Sequence, residues 1–168
     1  MAEAFSHSKA VKDKMGQLAN VTTQAEVRIT AQILSVAAKE LSETAGSDVY
    51  DDYISSWSTY SEISYGIFDA KAFDALTDDE KVMRNLIYGE AYFGLYFLAI
   101  ALRKLVKGNV NTIRESASGA SVQASPFDDI ISNAELYREQ AINCVSSALG
   151  NDISGDVYSD GSMGVFVA

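Results

Sequence analysis

Between Arg84 and Arg103 the chain carries one ionisable side chain other than tyrosine, Glu90, and residues 91–102 carry no charge at all. A helix over this stretch is apolar all round and needs neighbours all round. Thr77 with Glu80 three residues on reads as a capping-box start. Arg103, Lys104 and Lys107 ahead of Gly108 read as its stop, with cations where unpaired carbonyls accumulate. The pattern therefore predicts one long helix over 77–108, roughly 45 Å at ~1.5 Å rise per residue, at the centre of a bundle. Within it, Gly89 and Gly94 each cost ~1 kcal/mol of helix propensity against alanine, which points to close approach of another helix backbone. Glu90, in apolar surroundings, calls for a partner such as Arg84 or a tyrosine hydroxyl.

Three further helices surround this one in the reading of the sequence. Thr23 with Glu26 opens a helix on which Val27, Leu34, Ala38 and Leu41 recur at helical steps, ending near Gly46. Ser47 and Asp48 open a second, with Val49, Tyr53, Trp57, Tyr60, Ile63 and Ile67 on one stripe, read as core. Residues 66–76 connect it to the long helix, with Phe73 and Leu76 tucked beneath. Ser125, Pro126 and Asp128 give a cap, a proline at the first helical position and a first-turn acid for the last helix. Its stripe is Ile130, Ala134, Tyr137, Ala141, Val145 and Ala148, with Cys144 at the border. The fold class is all-α: four main helices, the long one central, with an extended or β-hairpin excursion before the last helix and an extended C-terminal tail.

Composition narrows the possibilities. A chain of 168 residues, 48% apolar, is long enough for one sizeable core. Its parts are an N-terminal arm over 1–22, a bundle over 23–150 containing the loop 109–125, and a tail over 151–168. The arm holds His7 and the cations Lys9, Lys12 and Lys14; Met15 and Leu18 allow a short, weakly amphipathic helix. A net charge of −10 and a pI near 4.4 oppose tight binding to phosphate backbones. One cysteine excludes an intramolecular disulfide. The charge-free run 91–102 falls short of the ~20 residues of a membrane span, so the expectation is a soluble protein with no membrane partner.

Catalytic readings lack parts. His7 in an arm and Cys144 on a helix make no Cys-His pair, no predicted helix holds a histidine for a di-iron site, and no phosphate-binding glycine loop occurs. The pairs Asp51-Asp52, Asp78-Asp79 and Asp128-Asp129 all fall in first helical turns, where they complement the helix dipole. The aspartates 152, 156 and 160 lack the spacing of a calcium loop. No enzyme, cofactor or metal is expected.

Two segments stand apart from the helices: 109–125, with almost no core formers, and the tail. Residues 109–125, NVNTIRESASGASVQAS, alternate weakly around Gly119, and a loop this long in a compact domain is functional or disordered. The tail closes on Val165, Phe166 and Val167, an apolar, strand-prone trio that needs a partner surface, either its own bundle or another chain. The helix order, the trailing segment and the stretch Arg114-Glu115-Ser116-Ala117-Ser118-Gly119-Ala120-Ser121-Val122 before the last helix together resemble the head–tail connector (adaptor or head-completion) proteins of tailed bacteriophages, over about residues 25–150. That family's loop often continues with a serine-tyrosine step, which this chain lacks.

The resemblance implies a structural virion protein made in the host cytoplasm and located in the neck. It implies a portal-matching, dodecameric ring that extends the DNA channel and docks the next neck or tail component. Duplex DNA would pass without specific binding, which acidic walls favour. It further implies that Arg114, Glu115 and Gln123 line the channel or touch a neighbouring subunit. Asp156, Tyr158, Asp160, Val165, Phe166 and Val167 would dock on the portal or a subunit. The alternative class is a monomeric, acidic, all-α interaction module, a chaperone or regulator that takes a basic client in a groove between helices.

Overall fold

The computed structural model describes residues 6–57, 59–60, 62–116 and 127–150, with the backbone alone at 62–64 and 108–116. Every regular element among them is helical: α1 (His7–Ala19), α2 (Thr23–Glu26), α3 (Ala31–Ala45), α4 (Ser47–Trp57), α5 (Glu62–Asp69), α6 (Asp78–Ser116), α7 (Asp128–Ser132) and α8 (Ala134–Ala148), with a 3-10 turn at Phe73–Ala75. The all-α bundle around one long helix stands as expected. Helix α6 packs against α8, α3, α1 and α7. It is long and apolar enough to cross a membrane by length and composition, and 67% of its most apolar window is buried inside the bundle.

The start of α6 follows the sequence rule. The Thr77 amide donates to Glu80 Oε2 at 2.9 Å and the Glu80 amide donates to Thr77 Oγ1 at 3.3 Å, a reciprocal capping box. The predicted stop fails. The helix runs through Gly108 to Ser116, so residues 109–116 extend α6 instead of opening a β-hairpin. A glycine ends a helix by turning left-handed, and Gly108 is not among the positive-φ residues, whereas Gly46 (φ 99°) and Gly150 (φ 67°) are. The remainder of the proposed excursion, 117–126, lies outside the described residues.

Three other boundaries shift. Thr22, not Thr23, caps a single turn, and Thr30 caps α3 through the Ile33 amide at 3.3 Å. Val27 falls in the link between them and is 72% exposed, and the core stripe of α3 becomes Ile33, Ala37 and Leu41. The aromatic helix breaks after Trp57. Ser56 Oγ donates to the Asp52 carbonyl and Thr59 Oγ1 to the Ser56 carbonyl, each at 2.8 Å, the backbone competition by which hydroxyl side chains interrupt helices. The break resets the register, so Tyr65 and Phe68 enter the core while Ile67 is exposed. Phe73 is exposed and Leu76 buried. The last helix is also two pieces, α7 and α8, meeting at Asn133, whereas its predicted cap at Ser125 and Pro126 lies outside the described residues.

Two apolar clusters divide the length of α6. One gathers Trp57, Tyr65, Phe68, Leu76 and Met83 around its first half; the other gathers Met15, Ile29, Ile33, Leu98, Leu102 and Ile130 around its second. Tyr92 and Phe97 touch both. α8 runs antiparallel to α6: Gly89 faces Val145 and Tyr92 stacks on Tyr137, while Arg103 donates to the Ile131 carbonyl of α7 at 3.4 Å. A Cβ on Gly89 would lie 3.2 Å from Val145 Cγ2 and 3.4 Å from the Ala141 carbonyl oxygen, so this glycine admits a helix backbone, as expected.

Candidate functional site

The N-terminal segment is a structural part of the bundle. Ser6 caps α1 by accepting from the Lys9 amide, and Ala10, Val11, Lys14 and Met15 bury one face of the helix. The arm reading is corrected here, and so is the premise that no helix contains histidine. Weak amphipathicity concealed the docking, because two of the anchoring side chains on this face, His7 and Lys14, are polar.

Those two side chains meet acids from distant parts of the chain. His7 Nε2 lies 2.7 Å from Glu90 Oε2 and 2.8 Å from the Tyr53 hydroxyl, and Tyr53 donates to the same Glu90 oxygen at 3.0 Å. The His7 ring stands edge-on to Tyr53 and Trp57, with centroids at 5.1 and 5.7 Å. Glu90 is 2% exposed, and burying its polar head is offset by the two hydrogen-bond partners that converge on Oε2. Burial, then the charge of Glu90 and the hydrogen bond to it, holds the Tyr53 phenol protonated far into alkaline pH, which keeps it a donor. Tyr50, beside this group, is pushed up to about 12, chiefly by burial and next by Glu90. The partner for Glu90 expected from sequence was Arg84 or a tyrosine; it is a tyrosine together with the histidine.

A second polar group fixes the other half of α1. Lys14 Nζ donates to Asp69 of α5 and, at 2.8 Å, to Gln17, and lies 4.8 Å from the centre of the Tyr88 ring. Arg84 donates to the Tyr88 hydroxyl at 3.2 Å and to the Lys71 carbonyl at 2.9 Å. Between the two groups, Met15 is fully buried and fills the notch left at Gly94, where a Cβ would meet its Sδ at 2.6 Å. Gly94 thus answers to a side chain and not to a helix backbone. With Glu90 and Tyr53 sealed from solvent, the histidine cluster acts as a polar pin that sets the position of α1.

The other region of interest is the far end of α6. Leu102 is the last buried residue of that helix whose side chain is described, and Arg103, Lys104 and Lys107 beyond it are exposed on an otherwise acidic protein. Arg114 and Glu115 occupy its last helical turn. Gln123 lies outside the described residues, as do Asp156, Tyr158, Asp160, Val165, Phe166 and Val167. Of the docking residues proposed from sequence, only Arg114 and Glu115 fall among the described residues. The structure brings together His7, Tyr53 and Glu90, which sequence reading left apart because 83 residues separate the histidine from the carboxylate. The available signal was one core carboxylate lacking a cation, and one histidine lacking a role.

The chain matches no family model, no curated protein and no solved structure.

Proposed function

We propose that this protein is a structural assembly subunit, and that its place is the neck of a tailed bacteriophage, as a head–tail connector arranged in a ring below the portal. The observation that carries the reading is the mismatch between α6 and its bundle. The helix remains regular to Ser116, roughly 20 Å past Leu102, and the side chains over 103–107 are only half-buried or exposed. A rod that outruns its core gives a neighbouring subunit something to hold, and a monomer gains little from it. The acidic balance suits a channel wall along which duplex DNA slides without adhering. Arg114 and Glu115 take the channel or inter-subunit role, and the tail 151–168 docks on the portal through its apolar trio.

The test is reconstitution with the portal protein encoded in the same genome, imaged by electron microscopy. Added ring density at one end of the portal is the expected result. A chain lacking residues 155–168 should keep its helical circular dichroism and lose that density. If the full chain leaves the portal bare, the neck reading is wrong; if the truncated chain binds equally well, the tail has no docking role.

A further inference from the structure

We infer that this chain docks on a second copy of itself through opposite charges, the cationic part of α6 on one copy lying against the acidic face of α4 on the next. The inference rests on the assembly-subunit reading above and adds to it the two contacting faces. It starts from the distribution of charge along the chain. Between Glu90 and Glu115 there are four cations, Arg103, Lys104, Lys107 and Arg114, and no acid. Between Lys39 and Lys71 there are acids and no lysine or arginine. On a protein of net charge −10, the first stretch is an island of opposite sign. The fold turns part of each stretch into an exposed helix face. Arg103, Lys104 and Lys107 lie within one turn of α6, and all three are exposed. Asp48, Asp51 and Asp52 lie within one turn of α4, on the side away from the buried Tyr53 and Trp57, and are exposed too. Each set spans ~6 Å of helix rise, so three cations meet three acids in a single register.

Neither face is neutralised on its own copy. Among the described residues, none of these six side chains joins an ion pair, and Arg103 donates to the Ile131 carbonyl. Asp128 and Asp129 open the neighbouring α7 and pair with none of the three cations. The two faces cannot meet within one copy: Tyr53, the residue after Asp52, reaches Glu90 at 3.0 Å, and Lys104 lies roughly 20 Å farther along α6. Between copies they can. A contact that joins two different faces of one kind of subunit repeats from copy to copy and closes as a ring or continues as a filament. One exposed ion pair adds little, but three in register, with like charges opposed in the wrong registers, select both partner and alignment. Two other acidic occupants are disfavoured. The excess of acid over the rest of the molecule opposes duplex DNA. The acidic tail begins after Gly150, at the end of α6 away from Lys104, because α8 runs antiparallel.

The test is sedimentation velocity of the whole chain, without portal protein, in ~0.1 M and ~1 M salt. At the lower salt the Debye length of ~10 Å screens the net repulsion between copies more than it screens touching pairs; at the higher it falls to ~3 Å. The parent should associate in the first and dissociate in the second. Lys104→Glu with Lys107→Glu, and separately Asp51→Lys with Asp52→Lys, should each weaken association about tenfold or more, with helical circular dichroism unchanged. Mixing the two double variants, or combining all four substitutions in one chain, should restore it, since every contact again joins opposite charges. A parent that stays monomeric at the lower salt overturns the inference and leaves the neck reading to its own test on the portal. So does association that ignores both reversals, or that is lost when residues 151–168 are removed, which would make the tail the occupant. Duplex DNA bound by the parent in place of self-association, and released by Lys104→Glu with Lys107→Glu, also overturns it.

Discussion

Glu90 shows how a residue rejected by the hydrophobic pattern becomes a determinant of it. A carboxyl group at 2% exposure is held by His7 and Tyr53 together, both at its Oε2. Tyr53→Phe should therefore lower stability by about 1–3 kcal/mol, measured by urea denaturation, since a buried charged acceptor loses a donor. In a Glu90→Gln background the same substitution should cost measurably less, and equal costs in both backgrounds would show that the two groups are not coupled. The phenols give a pH prediction. Tyr50 and Tyr92 are both pushed up to about 12, in each case first by burial, then by Glu90 for Tyr50 and by Cys144 for Tyr92. In the unfolded chain they ionise near ~10, so the folded state holds its phenolic protons more tightly. Their contribution is whole below that pH and is lost as pH rises from there towards about 12. Absorbance at 295 nm should show a late class of tyrosines that ionises together with loss of helical signal. Separate ionisation, with the helix intact, would place those phenols in contact with solvent.

At the scale of elements, the joint between α1 and α6 depends on a size match. Gly94→Ala places a methyl 2.6 Å from Met15 Sδ. The gain in helix propensity, ~1 kcal/mol, is opposed by an overpacking cost of about 1–3 kcal/mol at a site where Met15 is fully buried, so a net loss near 1 kcal/mol is expected. The same variant should make the peptide bonds of α1 more accessible to protease while α8 remains protected. Gly89→Ala should shift protection at α8 instead, because its neighbours are Val145 and Ala141. At the start of α6, Thr77→Ala should remove about 1 kcal/mol by leaving a first-turn amide unpaired. Glu80 is held below the usual carboxylate range by the Thr77 backbone and then by Lys71. Its contribution is present above the ordinary carboxylate range and fades as pH falls through the lowered value. Acid titration of a Glu80→Gln chain, which has no carboxyl group there to protonate, should show a shallower loss of stability than the parent. The helix ends that failed to follow the sequence share a cause. At Gly108 the stop residues were present, but a stop needs a left-handed turn, and local composition does not supply one where the backbone can continue helical. At Ser56 and Thr59 the opposite held: hydroxyls bonding to carbonyls interrupted a stripe that was periodic in its apolar positions.

For the whole molecule, one helix threads both apolar clusters, and Tyr92 and Phe97 belong to the surroundings of each. Unfolding should thus be a single cooperative event. Trp57, the only tryptophan, reports on the first cluster, whereas far-ultraviolet circular dichroism reports on both. Their urea transitions should coincide, and an earlier transition by either probe would divide the bundle into independent halves. What the sequence determined alone was the helical class, the central place of the charge-free stretch, the capping box at Thr77, the end of α3 at Gly46 and the close approach at Gly89. Each of these follows from contacts within a few residues or from the requirement that an apolar surface be covered. The tertiary structure decided which side chains meet. It docked α1 on the core, joined His7 to Glu90, set Met15 against Gly94 and moved the core stripes of α3 and α5 to a different register. Those outcomes depend on how helices distant in sequence approach one another, and a periodic pattern fixes a helix's apolar face without fixing what lies against it.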